Sequence, residues 1–282
     1  MFRSRGIEIK TDDQLRLMRR AGLVVAEFLD AISAQARPGV TLRELDQVGR
    51  DVLAHHGADS NFLEYGADSR GLGGFKGVAC LSVNQVIVHG MPTDEPLADG
   101  DILSIDGGAI IDGWHGDAAR TVQVGTPSPA NQALAEATEG AMWAGIAAAR
   151  LNGRIGDIGA AVEAYATSAP GGPYGIVREY VGHGIGTEMH QAPDVPNFGR
   201  AGKGPRITRG MAFCIEPMLT LGEPDNAVLD DDWTVVTLDG RPAAHWEHTV
   251  TCTAQGVWVL TAHDGGEEML GRLGVPFGPL AD

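Results

Sequence analysis

The sequence predicts an α+β fold of two related halves, each a pair of helices followed by strands, with the strands joined into one antiparallel sheet covered by helices. Three observations predict it. Two amphipathic helical stripes precede a group of short strand-like runs. A break at Gly125-Thr126-Pro127-Ser128 is followed by a return of the same order. Leu29, Leu42, Leu45 and Val52 find counterparts at Met142, Ile155, Ile158 and Tyr165, each displaced by 113 residues, and Gly153 stands where Gly39 stood. The halves are expected at about residues 10–125 and 128–262 of a single domain, 1–264, with 265–282 as a C-terminal tail. A ligand site is expected where the halves meet.

Thr11, followed by Asp12 and Asp13, predicts a helix start, because the hydroxyl caps free amides and the acids suit the positive end of the dipole. Leu15, Met18, Gly22, Val25, Leu29 and Ile32 form its inward stripe, and Pro38-Gly39 ends it. Thr41 starts a second helix with Leu42, Leu45, Val48 and Val52 inward, stopping near Gly57. Residues 58–76 are glycine-rich and read as a long loop, and loops of that length in compact domains tend to be functional or mobile. Strands are predicted at 78–82 and 86–88, then a hairpin over 102–124. In the second half they are predicted at 176–181, 211–219, 233–238, 244–253 and 257–261. The loop 197–209 concentrates four of the 21 basic residues and reads as a solvated face.

A chain of 282 residues with 43% hydrophobic and 21% charged residues can bury a sizeable core. Its net charge of −16 argues against binding nucleic acid or an anionic membrane, and suits metal cations and substrates with a free amine. The start, MFRSRGIEIKTDDQ, holds no apolar run, and a cytoplasmic protein is expected. Cys80, Cys214 and Cys252 are odd in number and far apart, which predicts reduced, buried thiols rather than a disulfide framework.

The hairpin is the most informative stretch. Asp112-Gly113 is a dipeptide that a two-residue type I′ turn prefers, since both central residues need positive φ. Ile111 then pairs with Trp114, and Asp106 lies opposite Ala119 with Asp117 as its diagonal neighbour. Ser104, Asp106, Gly108, His115, Asp117 and Ala119 share one face, and Ile105, Ala109, Ile111, Trp114 and Ala118 share the other. Two carboxylates on one face can hold cations or merely face water, and from this stretch alone the two readings stand level.

Polar residues that packing would not choose recur in four other segments. His89 closes a strand-like run, His183 sits between glycines, and His190 follows seven residues later. Glu216 precedes Pro217, and Glu247 shares a strand face with His245 and Thr249. Singly, each has a plain structural reading: a strand histidine is more often a hydrogen-bonded core residue, and a strand glutamate usually faces water. Together, two aspartates, two glutamates and a histidine in apolar or glycine-rich strand segments favour a shared site. Four buried carboxylates would repel at several kcal/mol each, and two divalent cations would neutralise them. Oxygen-rich ligation with one imidazole suits Mn, Fe, Co or Zn.

In five motifs, SVNQVIVHGMP, SIDGGAIIDGWHGDAAR, GHGIGTEMH, CIEPM and WEHT, the sequence resembles the bacterial type I methionine aminopeptidases over roughly 7–262. The resemblance implies the pita-bread fold shared with prolidases and creatinase. It implies two metal ions bound by Asp106, a bridging Asp117, His183, Glu216 and Glu247. It gives His89 a place near the scissile amide and His190 a part in stabilising the tetrahedral intermediate, with Glu216 also carrying the proton. His115, His245 and His248 match no ligand position and are expected to be structural, and His55, His56 and His263 to lie at the surface. Cys80 and Trp233 match the side-chain pocket. Met189 stands where the family usually has a phenylalanine, and Phe62 to Cys80 is longer than the usual loop, so Tyr65 and Phe75 stand in for its two aromatic residues.

The activity implied is removal of an N-terminal initiator methionine by metal-hydroxide attack on the first peptide bond, with a small second residue in the substrate. Nascent chains at the ribosome are the expected partners, and a monomer the expected state. Two alternatives stay open: a prolidase-like Xaa-Pro peptidase on the same metals, and a pita-bread protein that only binds a partner.

Overall fold

The computed structural model describes residues 6–281, and its first two helices are α1 (Asp12–Gln35) and α2 (Leu42–His56). Each starts at the predicted threonine. Thr11 Oγ1 accepts from the Gln14 N–H at 3.3 Å while the Gln14 side chain accepts from the Thr11 N–H at 2.8 Å, and Thr41 and Glu44 repeat the exchange at 3.2 and 2.8 Å. The whole predicted stripe of α1 is buried. On α2 the buried face is turned by about one position, through Leu42, Leu45, Asp46, Gly49 and Leu53, leaving Val48 and Val52 half-buried. Close approach explains the shift. A Cβ on Gly49 would lie 2.5 Å from the Phe28 ring of α1, so only glycine lets the helices meet there. Asp46 goes inward because its carboxylate accepts from the Val78 and Ala79 N–H groups at 2.6 and 3.1 Å.

Strands β1 (Asp59–Ser60), β2 (Ala79–Val83) and β3 (Val86–Val88) lead to the hairpin of β4 (Ile102–Ile111) and β5 (Trp114–Gln123). Asp112 and Gly113 have φ of 51° and 79°, as a type I′ turn requires. The register runs from Ile111 opposite Trp114 to Ile102 opposite Gln123, with Asp106 opposite Ala119 and Gly108 opposite Asp117. Gly107 and Gly116 face α1, where a Cβ would meet the Phe28 ring at 2.2 Å and the Gly22 backbone at 2.8 Å, so the two aspartates face away from the helices.

After the predicted break, Ser128 caps α3 (Pro129–Ala148), and α4 (Ile155–Ser168) follows. Three of the four predicted matches are core pairs and two more join them, whereas Val52 is half-buried and its counterpart Tyr165 is exposed. At the same displacement Ala21 and Leu134, Leu29 and Met142, Leu42 and Ile155, Leu45 and Ile158, and Leu53 and Ala166 are all buried. Thr41, which precedes α2, bridges to Pro96, and its counterpart Arg154 bridges to Arg206. The counterpart of Gly39 (φ 89°) is Asn152 (φ 69°), one residue ahead of the expected Gly153.

The second-half strands are β6 (Gly175–Ile176), β7 (Gly182–Gly184), β8 (Gln191–Val195), β9 (Ala212–Ile215), β10 (Met218–Thr220), β11 (Asn226–Val228), β12 (Val235–Thr237), β13 (Ala243–His245), β14 (Glu247–Cys252) and β15 (Val257–Val259). Two strands predicted as continuous are broken, at Glu216-Pro217 and at Trp246. Proline has no N–H to offer a ladder, which accounts for the first break. Strands β7, β8 and β11 are too short or too polar for period-2 alternation to reveal. Nine strands form one antiparallel sheet in the order β1-β4-β5-β14-β9-β7-β8, with β2 on β4 and β15 on β14. Both helix pairs cover one face of it, α1 and α2 over the β4–β5 core and α3 and α4 over Phe213, Ile215 and Val250. The tail carries a short helix, α5 (Glu267–Arg272), and lies on the domain through buried Leu270 and a bridge from Phe277 to Val257. No helix among the described residues is long and apolar enough to cross a membrane.

Candidate metal centre and substrate pocket

Directly paired residues in a sheet point to the same side, so the register places the site. Cys80 pairs with Asp106, Asp106 with Ala119, and Ala119 with Glu247, giving one row across β2, β4, β5 and β14 on the face away from the helices. Asp117 lies two residues along β5 on that face. Strand β9 pairs Cys214 with Thr249 and ends just before Glu216. His183 is the middle of β7, whose flanking glycines allow its approach: a Cβ on Gly182 would lie 2.3 Å from the Cys214 carbonyl oxygen, and one on Gly184 2.1 Å from that of Ala192. His183 Nε2 ends 3.3 Å from Glu216 Oε1. The structure therefore brings Asp106, Asp117, His183, Glu216 and Glu247 together from both halves.

Asp106 Oδ1, Asp117 Oδ1, Glu216 Oε1 and Glu247 Oε1 are buried without a hydrogen-bond donor among the described residues. Burial pushes the Asp106 carboxyl up to about 8. Burial, reinforced by Glu247 and Asp106, holds Asp117 well above the usual carboxylate range. Burial with Asp106 and Asp117 does the same to Glu216, and burial with Glu216 and Asp106 to Glu247. Acceptors left in this condition call for cations. Asp106, Asp117 and Glu247 offer three donor atoms within 4.8 Å of one another, as do Glu216, His245 and Glu247, so the residues fit divalent metal. Burial and the nearby His190 press His183 down to about 3, leaving a neutral imidazole able to ligate.

The other histidines divide. His115 Nδ1 meets Asn61 Oδ1 at 2.9 Å and His248 Nδ1 meets Thr261 Oγ1 at 2.8 Å, satisfied structural positions as expected. His56 pairs with Glu27 and His263 with Asp30 at the surface, at 2.8 and 2.7 Å. His245 departs from expectation. It lines the cavity with Nε2 3.8 Å from Glu216 Oε2, buried and without a hydrogen-bond partner among the described residues. Its face-sharing with Glu247 was the available signal.

Beside the carboxylates is a cavity of about 170 Å³. Phe62, Phe75, Cys80 and Met189 form an apolar cluster there, with Met91 and Trp233 packed against it. Trp233 meets the Phe75 ring edge-on at 5.5 Å, and its Nε1 donates to the Gly73 carbonyl at 3.0 Å, which ties the long loop to the pocket. All five predicted pocket residues, Tyr65, Phe75, Cys80, Met189 and Trp233, line it. His89 stands at φ 59°, a left-handed conformation unusual for a non-glycine residue, with its ring 5.6 Å from Tyr180 and 6.2 Å from Trp233. Burial lowers it to about 4, so it is neutral near pH 7. The His190 ring lies 4.3 Å from that of His183, and its Nδ1 is 2.7 Å from the Tyr65 hydroxyl. Sequence reasoning missed Phe62, Tyr180 and Met218 as lining residues. Phe62 and Met218 stand in segments already singled out, but nothing in their local pattern says which way they point.

The sequence matches metallopeptidase family M24 over residues 16–254. It is 47% identical over 252 residues to methionine aminopeptidase 1 of Mycobacterium tuberculosis, covering 88% of this chain and 92% of the relative. The crystal structure of methionine aminopeptidase from Rickettsia prowazekii superposes with a TM-score of 0.86 at 38% identity, over 91% of this chain and all (100%) of that one. A prolidase from Pyrococcus furiosus matches with a TM-score of 0.71 at 20% identity, over 90% of this chain and 65% of that one, a likeness of fold.

Proposed function

The chain belongs to metallopeptidase family M24, among the methionine aminopeptidases, and we propose that it releases the initiator methionine from new proteins by hydrolysing their first peptide bond. One observation carries this reading: four unpartnered carboxylate oxygens lie beside a pocket walled by sulfur and aromatic side chains.

In this reading Asp106, Asp117, His183, Glu216 and Glu247 hold two divalent ions, of Mn, Fe, Co or Zn. When bound, such ions make water acidic enough to supply hydroxide near neutral pH and polarise a carbonyl. Glu216 takes the proton of the attacking water and returns it to the leaving amine. His190 donates a hydrogen bond to the scissile carbonyl oxygen as it gains charge. His89 borders the amide. The methionine side chain enters between Phe75, Cys80, Met189 and Trp233, where polarisable sulfur and ring edges favour a thioether. The free amine of the substrate is held beside Asp106.

We read the substrates as nascent chains leaving the ribosome in the cytoplasm, in keeping with three unpaired cysteines, and the working unit as a monomer. The test is hydrolysis of a Met-Ala-Ser tripeptide and an Xaa-Pro dipeptide after chelation and after Mn or Co is returned. Cleavage of the Met peptide only with metal supports the proposal. Turnover by the chelated enzyme, or preference for the Xaa-Pro substrate, overturns it.

A further inference from the structure

Tyr65 sits where the chain leaves the pocket wall for the long loop. Its backbone is fixed by Phe75, whose N–H donates to the Tyr65 carbonyl at 3.0 Å while the Glu64 N–H donates to the Phe75 carbonyl at 2.8 Å. Its ring leans on Trp233 at a centroid distance of 6.5 Å and meets His190 edge-on at 5.4 Å. The phenol oxygen, 2.7 Å from His190 Nδ1, therefore serves His190 rather than only lining the pocket.

A neutral imidazole carries one N–H, and the partner of one nitrogen decides whether the proton rides on the other. We propose that Tyr65 is a positioning residue whose O–H donates to His190 Nδ1 and so keeps the proton on Nε2, presenting His190 to the substrate carbonyl as a hydrogen-bond donor. The inference rests on the role proposed for His190 above. The reverse arrangement, Nδ1–H donating to the phenol, would set an Nε2 lone pair against a carbonyl oxygen, which is repulsive. The phenol keeps the proton it donates, because the ordinary tyrosine pKa of about 10 lies well above neutral pH and burial raises it further.

The test compares the full-length protein, Tyr65→Phe and Tyr65→Ala, metal-loaded, on Met-Ala-Ser, together with ¹⁵N NMR of the histidine-labelled proteins, the His190 signals being assigned with His190→Gln. Tyr65→Phe is expected to lower kcat about tenfold or more, in the range for weakening a donor to a developing oxyanion, with KM nearly unchanged. The His190 nitrogens should move from an Nε2–H pattern toward a mixture of tautomers. Wild-type kcat and unchanged nitrogen shifts in Tyr65→Phe would overturn the proposal, as would an Nδ1–H pattern in the wild type. A KM rise confined to Tyr65→Ala would reduce Tyr65 to a pocket wall and also overturn it. If the wild type leaves Met peptides uncut while the His190 tautomer still responds to Tyr65→Phe, the functional reading fails and the tautomer assignment stands.

Discussion

Asp106 and Glu247 flank Ala119, each directly paired with it, one from β4 and the other from β14. Three residues in a row across a sheet face the same way, and neighbouring strands are about 4.8 Å apart, so only a methyl group separates two carboxylates. Ala119→Leu should fill that gap. We expect metal affinity to fall at least about tenfold, as for lesions next to metal ligands, with the far-ultraviolet circular dichroism retained. Equilibrium dialysis with Mn or Co measures it, and wild-type affinity would contradict the geometry.

Metal-free protein should be stabilised by removing one of its crowded carboxylates. Asp117→Asn is expected to unfold later than wild type in chelator, by about 1–3 kcal/mol or several degrees, because a neutral amide escapes the burial and repulsion that act on Asp117. With Mn or Co present the order should reverse, since the variant loses a ligand. Thermal unfolding in both conditions decides, and a variant no more stable than wild type in chelator would count against carboxylate crowding.

The same groups set a pH dependence. Asp106 is raised to about 8, so the folded state holds a proton that the unfolded chain releases near pH 4, and stability is present at low pH and lost as pH rises through 8. Burial depresses His89 to about 4 and His183, His245 and His248 to about 3, so their contribution has the opposite slope and is lost as pH falls from about 6.5. The two slopes oppose each other between about pH 4 and 6.5, and above that the histidines are neutral in both states, so the carboxyl slope remains. Melting temperatures of chelated protein should therefore fall from pH 6.5 to 8.5, and a rise over that interval would be incompatible with these shifts.

Gly107 lies under the Phe28 ring, where an added Cβ would come within 2.2 Å. Gly107→Ala is expected to cost about 1–3 kcal/mol through overpacking, and Phe28→Leu should recover part of that loss in the double variant. Urea unfolding of the four proteins gives the coupling, and strict additivity would show that the ring is not what excludes a side chain.

Met189 is buried in the pocket wall beside Cys80 and Phe75. Met189→Ala should raise KM for Met-Ala-Ser more than it lowers kcat, by roughly tenfold, the usual scale for lost side-chain contact in an apolar pocket. A fall confined to kcat would place Met189 outside the side-chain pocket.

Local chemistry was legible without tertiary structure. The threonine caps, the Asp112-Gly113 turn and the hairpin register each depend on residues within a few positions, so the pairing of Asp106 with Ala119 could be read from the turn outward. The repeat was legible too, because the same core positions are filled twice at one displacement.

Other features needed the fold. The inner face of α2 turns on Gly49 meeting Phe28, a contact between helices that no hydrophobic pattern encodes. The role of His245 depends on the break at Trp246 and on Glu216 arriving from β9, and the bond from Tyr65 to His190 joins residues 125 apart. The sequence by itself determined the hairpin and the two aspartates on one of its faces, since alternation and turn geometry are short-range. Only the tertiary structure decided that this face meets Glu247 across Ala119 rather than water, because the pairing of β5 with β14 is set by how the two halves close against each other.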